Sequence, residues 1–431
     1  MFLTETSRIG ALIGSGARSA ATLEEVIARE LEEFRRSKKR AGMLESERYY
    51  RGDTEISRRG QSGTPLSTSR IASAFYKKLV DQKSGFLTAK TPSVLCKSAR
   101  YRALLDRIFD RSFLSGLCET ACEAVKKGIA FSQICLDAGG RLRFVSAPSE
   151  KTIPIWKDGG HTELQAVIRF FEAERYEGRR RETETVIEYY DAGGVRTFAL
   201  SNGSVRRTGE RPHFYVDGVG FNWTRPPFVF ARYNPQELPL LGYIKTCIDD
   251  YDMQKSVCAD MLLNLPNFIY VLRGYGGEDL EDFVRQLRET LAVSVDGDGG
   301  VDKLQADPKT EDAVRFMELA RRDIYEFGRG VDTQSDKTGA ASGVALKFLY
   351  ADLDMDCSML ENSLHRMIED CQFFITRYLL LKGERDYSRD GLQFVFNRDI
   401  IISEAEAIAM CRDSKGIVSD EVITANHPWS S

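Results

Sequence analysis

The sequence predicts an α+β fold in which helical segments precede and follow a β-rich region. In residues 22–128, and again from Pro239 onward, apolar residues recur three or four positions apart, as they do on one face of a helix. In residues 129–233 the pattern changes to short apolar runs separated by Gly, Asp and Asn, which is typical of strands and turns. The length of 431 residues allows about two to four domains with a sizeable core.

The first helix is predicted over residues 22–42. Thr22 and Glu25 match a capping box, in which each side chain binds the backbone N–H of the other residue. The helix carries an apolar stripe and ends in a basic run over residues 35–40. We interpret this run as a solvated helix end that complements the helix dipole, and a contact with DNA or an acidic neighbour is the alternative.

Three more helices are predicted before the β-rich region, over residues 70–88, 101–113 and 117–127. Near one face of the first of these lie Ile71, Ala74, Phe75, Leu79 and Lys83. Gly128 is expected to end the third helix, because glycine is the commonest residue just past a helix C-terminus.

Seven strands are predicted in the β-rich region from apolar runs bounded by turn residues. They cover residues 129–137, 142–148, 153–156, 164–173, 184–191, 195–201 and 226–234. The run Arg179-Arg180-Arg181 falls in a predicted hairpin connection, and we interpret it as a solvated loop.

A long helix is predicted over residues 239–265, and four aspartates lie on or near its polar surface: Asp249, Asp250, Asp252 and Asp260. They indicate either a solvent-facing helix or the wall of a channel. An acidic wall would repel phosphates, so nucleic acid would slide along it without binding tightly.

The segment after this helix is predicted to form a small α/β unit and two further helices. The unit consists of strands over 268–272 and 292–296 with a short helix over 280–291 between them. The next helix, over 309–327, ends at Gly328 and Gly330, whose missing side chains permit backbone angles that other residues avoid. A polar loop over 332–341 leads to Ser342, an N-cap for a helix over 343–381. The last predicted elements are a strand over 392–397 and a helix over 404–414.

Two motifs in this region resemble the portal proteins of tailed double-stranded DNA bacteriophages of the siphophage type. IYEFGRGVD at 324–332 is followed by the short polar loop and then by SGVALKFLY at 342–350. The resemblance extends less sharply over residues 45–428, including GYGGEDL at 274–280 and GGVDKL at 299–304.

The resemblance implies a portal-like α+β subunit with a helical and β-rich wing, two long stem helices, a small α/β clip, a tunnel loop and a long helix. Its expected parts are a flexible N-terminal arm (1–21), the wing (22–238) with helical (22–128) and β-rich (129–233) portions, a stem helix (239–265), the clip (266–307), a second stem helix (308–330), the tunnel loop (331–342), a long helix with the wing return (343–403), and the start of a crown that is short or truncated (404–431).

The same resemblance implies a non-enzymatic homo-oligomeric ring, a dodecamer, at one capsid vertex of the virion, assembled in the host cytoplasm. Double-stranded DNA would pass through its channel during packaging and ejection. The expected protein partners are the terminase large subunit, head–tail connector and adaptor proteins, and the major capsid and scaffolding proteins.

Particular residues are expected to act in this assembly. The tip of the tunnel loop, Asp336, Lys337, Thr338 and Gly339, would face DNA, with Lys337 as a weak phosphate contact. The clip residues expected to dock partners are Tyr275, Glu278, Asp279, Asp296 and Asp298.

Two enzyme interpretations and a general scaffold without DNA contact are the alternatives. Asp296-x-Asp298 after an apolar strand resembles the nucleophile and general acid of magnesium-dependent phosphotransferases of the haloacid-dehalogenase type. Residues 336–339 spell the phosphorylated-aspartate motif of P-type ATPases. No parallel βα repeats surround the first motif, and no apolar strand precedes the second. We therefore expect no enzyme.

Composition and motifs argue against a packaging motor, a metal- or cofactor-binding protein and a membrane-spanning protein. The net charge of −4 does not demand a nucleic-acid partner, and the chain lacks the GxxxxGK[ST] motif of a packaging motor. The nine scattered cysteines indicate a reducing compartment, and the four histidines are dispersed, so we expect no metal or cofactor. No run of about 18 apolar residues predicts a membrane span.

Overall fold

The fold is taken from a computed structural model. It describes residues 22–59, 68–177, 180–201, 203–264, 269–273, 281, 285, 300–304, 310–334, 343–396, 398, 404–417 and 419. The chain divides into two compact units. The first contains Met1–Gly52, Ala74–Lys245 and Ile324–Ser431, and the second contains Asp53–Ser73 and Thr246–Asp323.

The helices of the described residues are named α1 to α10 in chain order. They are α1 (Leu23–Arg36), α2 (Lys38–Tyr50), α3 (Glu55–Arg58), α4 (Phe75–Thr88), α5 (Ala99–Ile108), α6 (Arg111–Lys127), α7 (Leu241–Asn264), α8 (Thr310–Phe327), α9 (Gly343–Leu381) and α10 (Glu404–Asp413). The predicted helix over 343–381 is therefore confirmed over its whole length, and the expected end of α6 at Gly128 is confirmed by its left-handed φ of 82°.

The predicted first helix is two helices, because Ser37 interrupts it. The hydroxyl of Ser37 donates to the Phe34 carbonyl at 2.7 Å and accepts from the Arg40 N–H at 3.1 Å, so one side chain ends α1 and caps α2. The capping box of Thr22 and Glu25 at the start of α1 is confirmed.

The strands of the described residues are named β1 to β14. They are β1 (Ser93–Leu95), β2 (Ile129–Leu136), β3 (Leu142–Ala147), β4 (Thr152–Trp156), β5 (Leu164–Glu177), β6 (Arg180–Asp191), β7 (Gly194–Ser201), β8 (Ser204–Arg211), β9 (Phe214–Val216), β10 (Val219–Phe221), β11 (Phe228–Arg232), β12 (Ile269–Arg273), β13 (Gly300–Leu304) and β14 (Gln393–Val395).

All strand pairs among the described residues are antiparallel. In the first unit a five-stranded sheet has the order β4-β5-β6-β7-β8, a three-stranded sheet has the order β11-β2-β3, and β1-β14 and β9-β10 form two-stranded pairs. In the second unit β12 pairs with β13. The seven strands predicted in the β-rich region are confirmed, whereas β8, β9 and β10 were not predicted.

Two apolar clusters attach the first helices to the sheets. Ile27 and Leu31 of α1 pack against Phe170 and Phe198 of the five-stranded sheet. A second cluster joins Met43 of α2 to residues of β2, β5, β6 and β11. These contacts explain why α1 and α2 belong to the same compact unit as the two sheets.

Candidate functional site

The end of α8 lies directly against α4. A Cβ atom added at Gly328 would be 2.6 Å from the Ile324 carbonyl oxygen and 2.8 Å from Leu79 Cδ1, and one added at Gly330 would be 2.1 Å from Leu79 Cδ2. The positive φ in this turn, 47°, belongs to Arg329 rather than to either glycine. The expectation that the two glycines supply unusual backbone angles is therefore wrong, and they are required because the helices approach too closely for a side chain.

Gln82 of α4 fixes the backbone that follows this turn. Its amide Nε2 donates to the Val331 carbonyl at 3.0 Å, and its Oε1 accepts from the Val331 N–H at 2.9 Å. Val331 is buried, and these two hydrogen bonds satisfy its N–H and its carbonyl, as a neighbouring strand would. The chain therefore enters the predicted tunnel loop from a fixed position.

Lys83, one residue further along α4, lies at the centre of a buried polar cluster. Its ammonium group donates to Asp356 Oδ2 of α9 at 2.6 Å and to the Arg329 carbonyl at 3.1 Å. The Tyr233 hydroxyl donates to the same Asp356 oxygen at 2.6 Å. The Lys83 side chain is 1% exposed, so its charge is stabilised by these partners rather than by water. We call Lys83, Tyr233, Arg329 and Asp356 the Lys83 clamp.

Burial keeps the proton on two groups here, the Tyr233 hydroxyl of the clamp and the thiol of the neighbouring Cys357. Burial and the neighbouring Asp356 carboxylate raise the pKa of Tyr233 well above its ordinary value, so its hydroxyl keeps the proton that it donates. Burial also raises the pKa of the adjacent Cys357 thiol to about 12, which leaves it protonated and poorly reactive.

The clamp joins the two sides of the predicted tunnel loop. Arg329 precedes that loop, and Asp356 lies on α9, the helix that follows it. Because Lys83 binds both, one buried side chain fixes the chain before the loop relative to the helix after it. The geometry can hold the two ends of a loop at defined positions.

In the second unit, α7 holds an extended segment through its polar side chains. Asp260 Oδ1 accepts from the Ser69 N–H at 2.9 Å, Ser256 Oγ accepts from the Ile71 N–H at 2.9 Å, and Asp252 Oδ1 accepts from the Ser73 N–H at 2.9 Å. The three acceptors are four residues apart, so they lie on one helix face. They match alternate N–H groups of the segment, which point the same way in extended backbone. We call them the α7 ladder.

The α7 ladder corrects part of the aspartate prediction. Asp252 is 0% exposed and Asp260 is 7% exposed, so the expectation that both lie on an open polar surface is wrong. Their carboxylates accept backbone N–H groups that would otherwise lack partners, and burial raises the pKa of Asp252 above its ordinary value. Asp249 is half-buried and Asp250 is exposed, and a channel-wall role stays a prediction for these two.

The comparison with known families decides the class of protein. A family model described as phage portal protein, SPP1 Gp6-like, matches residues 31–431. The chain belongs to this phage portal family.

Two relatives and one solved structure are similar to this portal-family chain. The portal protein of Bacillus phage SPP1 is 27% identical over 407 residues, which are 90% of this chain and 80% of the relative. The portal protein of Clostridium phage phiCD119 is 26% identical over 416 residues, which are 91% of this chain and 90% of the relative. A chain in the neck of a native GTA particle, computed with C12 symmetry, is 13% identical with a TM-score of 0.44, and the match covers 82% of this chain and 89% of that one. The resemblance predicted from the two motifs is confirmed.

The predicted tip of the tunnel loop and the predicted clip residues lie outside the described residues. The first set is Asp336, Lys337, Thr338 and Gly339, and the second is Tyr275, Glu278, Asp279, Asp296 and Asp298. The described residues hold no group of three or more His, Cys, Asp or Glu side chains able to bind a metal ion. In the same part of the chain, no helix has the length and apolar character needed to cross a membrane.

Sequence reasoning missed the Lys83 clamp, although one signal was present. Lys83 lies four residues after Leu79 on the predicted apolar face of α4, where a cation would be buried. A lysine on an apolar stripe indicates a buried partner of opposite charge. The partner itself could not be predicted, because Asp356 is 273 residues away in sequence.

Proposed function

We propose that the chain is the subunit of a dodecameric portal ring at one capsid vertex of a phage virion, assembled in the host cytoplasm. Double-stranded DNA passes through the central channel during packaging and ejection. The observation that carries this proposal is the match to the phage portal family over residues 31–431.

The two stem helices offer surfaces for ring formation. α7 exposes several large apolar side chains, among them Leu262 and Leu263 at 56% and 67% exposure, and α8 exposes Phe316 and Leu319 at 47% and 53%. Apolar side chains exposed together along one helix mark interaction surfaces. In the proposed ring, each copy covers these residues with the corresponding helices of its neighbours.

The tunnel loop and the acidic residues of α7 form the proposed DNA path. Lys337, repeated around the ring, makes a band of positive charge that touches phosphates weakly, while Asp249 and Asp250 keep the wall from binding DNA. The Lys83 clamp supports this role, since it fixes the chain on both sides of the loop. Particles carrying Lys337→Ala are expected to package or retain less DNA than particles carrying Lys97→Ala, an exposed lysine outside the loop. Unchanged packaging and retention in Lys337→Ala particles would remove that role from Lys337.

The proposed partners divide between the clip and the wing. The clip over 266–307 docks the terminase large subunit and later the head–tail connector and adaptor proteins. The wing contacts the major capsid and scaffolding proteins. The family and both relatives are named portal proteins, and none of these names describes an enzyme.

Negative-stain electron microscopy of the purified chain, combined with mass from light scattering, tests the proposal. Rings with a hole wide enough for duplex DNA are expected, and their mass counts the subunits. A stable dimer without a hole would contradict the ring. Magnesium-dependent phosphotransfer that disappears in Asp296→Asn would instead identify an enzyme, and an assembly without a DNA-sized hole would identify a general scaffold.

A further inference from the structure

A cavity of the first unit lies beside the C-terminal end of α9. Its volume is about 400 Å³, and it opens among α5, the turn between β2 and β3, and the last turns of α9. Its apolar lining consists of Leu104, Ile108, Leu142 and Leu379. Leu142 and Leu379 are buried, so the cavity has a fixed apolar floor rather than a surface of mobile side chains.

The rim of this cavity carries more positive than negative charge. Four cations and two carboxylates line it: Arg107, Arg141, Arg143, Lys382, Asp110 and Glu384. Both carboxylates already have partners. Asp110 binds Arg143 at 2.9 Å, and Glu384 binds Arg100, which lies outside the cavity, at 2.6 Å. Among the residues described by the structure, Arg107, Arg141 and Lys382 have no carboxylate within ion-pair distance.

Lys382 is the residue directly after α9, and it lines the cavity. Its Nζ lies 3.6 Å from the position that a Cβ on Gly140 would occupy, which places the ammonium beside the β2–β3 turn. It also lies 5.7 Å from the ring centroid of Tyr378, within cation–π distance. The ammonium of Lys382 therefore lies beside the turn that carries Arg141, and both side chains line the cavity together with Arg107.

We propose that this cavity, the α9-end cavity, binds an acidic segment of a partner protein. A large apolar side chain of that segment enters the cavity, and its carboxylates bind Arg107, Arg141 and Lys382. A protein segment fits better than a nucleic-acid duplex, because the phosphodiester backbone that a duplex exposes carries charge but no apolar group able to fill a cavity lined by leucine and isoleucine. This binding site does not depend on ring formation or on DNA passage.

The test uses the full-length chain and a library of short random peptides. Selection on the unchanged protein is expected to enrich peptides with carboxylates flanking a large apolar residue. The triple variant Arg107→Glu, Arg141→Glu and Lys382→Glu is expected to bind the selected peptides at least about tenfold more weakly, since three ion pairs are lost and three repulsions are added. A matched triple variant reverses exposed cations that do not line the cavity, Lys97→Glu, Arg111→Glu and Arg389→Glu, and is expected to bind within about twofold of the unchanged protein.

A second measurement does not depend on any protein variant. Replacing each Glu or Asp of a selected peptide by Gln or Asn is expected to weaken its binding to the unchanged chain by about tenfold, and raising the salt concentration should reduce the difference. Failure to enrich acidic apolar peptides, or equal binding by the two triple variants, would overturn the proposal. Displacement of the peptide by a short DNA duplex that also depends on the three cations would overturn it in favour of a nucleic-acid site.

Discussion

Removing the positive charge of the Lys83 clamp should weaken the first unit strongly. In Lys83→Met the Asp356 carboxylate keeps the Tyr233 hydroxyl and a distant Arg329 guanidinium at 3.9 Å, but it loses its ammonium partner. The Arg329 carbonyl also loses its hydrogen bond from Lys83. Breaking one side of a buried ion pair costs about 3–5 kcal/mol, because an uncompensated charge stays buried. We expect a decrease of this size in the free energy of unfolding.

Urea unfolding of the purified protein measures this decrease, with all variants compared at one protein concentration. The matched control is Lys77→Met on the same helix. Lys77 pairs with Asp81, but both side chains are about half exposed, so its loss should cost only about 0.3–0.5 kcal/mol. The double variant Lys83→Met and Asp356→Leu removes both charges and should recover part of the loss, because no charge stays buried. The recovery should be incomplete, because the Tyr233 hydroxyl and the Arg329 carbonyl lose their partners.

The reactivity of Cys357 shows whether Lys83→Met destabilises the structure around the clamp. Its thiol is 1% exposed and lies 3.7 Å from the Lys83 carbonyl oxygen. Maleimide labelling of Cys357, followed by mass spectrometry, should accelerate in Lys83→Met and stay slow in Lys77→Met. Equal losses of stability in Lys83→Met and Lys77→Met, or a double variant no more stable than Lys83→Met, would refute the buried-charge argument.

Three further predictions concern close packing, the α7 ladder and pH. Gly330→Ala should cost about 1–3 kcal/mol, since its Cβ would overlap a leucine of α4, whereas Gly85→Ala has open space inside α4 and should gain about 0.5–1 kcal/mol; urea unfolding measures both. Asp260→Ala should release the extended segment after α3 and speed its cleavage in limited proteolysis, and the exposed Asp250→Ala should not. Burial lowers the pKa of His213 to about 4, so the unfolded chain binds the proton more tightly and stability should fall as the pH decreases from about 6.5 to about 4; His213→Asn, which keeps an acceptor, should flatten this part of the stability–pH curve.

Local pattern predicted most of the elements, and the exceptions have identifiable causes. The break at Ser37 was missed because neither glycine nor proline marks it, and a single hydroxyl ends one helix and starts the next. β8 was missed because its side chains are mostly exposed, so its sequence shows no apolar alternation. The partner of β12 is β13 at Gly300–Leu304. The strand predicted over 292–296 lies outside the described residues.

The site was less predictable than the fold, because its contacts join distant parts of the sequence. The motif IYEFGRGVD correctly indicated the portal family, but it contains only one member of the Lys83 clamp. For two aspartates of α7, the sequence indicated the wrong surroundings. Composition favoured an exposed acidic surface, yet Asp252 and Asp260 are buried because extended backbone supplies N–H donors at matching intervals. Whether a carboxylate faces water or backbone depends on which segment packs beside it, and local sequence does not record this.

The presence of an ion pair, rather than an apolar contact, in the Lys83 clamp has a physical rationale. An apolar contact between α4 and α9 would stabilise the packing equally well, but it would tolerate sliding of one helix along the other. The Lys83 ammonium instead has three donors, and two of them find acceptors on separate segments, the Arg329 carbonyl and the Asp356 carboxylate. Because a one-residue shift of either segment would leave a buried charge or carbonyl unpaired, the clamp specifies register as well as stability. In the proposed channel this would keep every copy of the loop at the same height around the ring, as a continuous band of contacts to DNA requires.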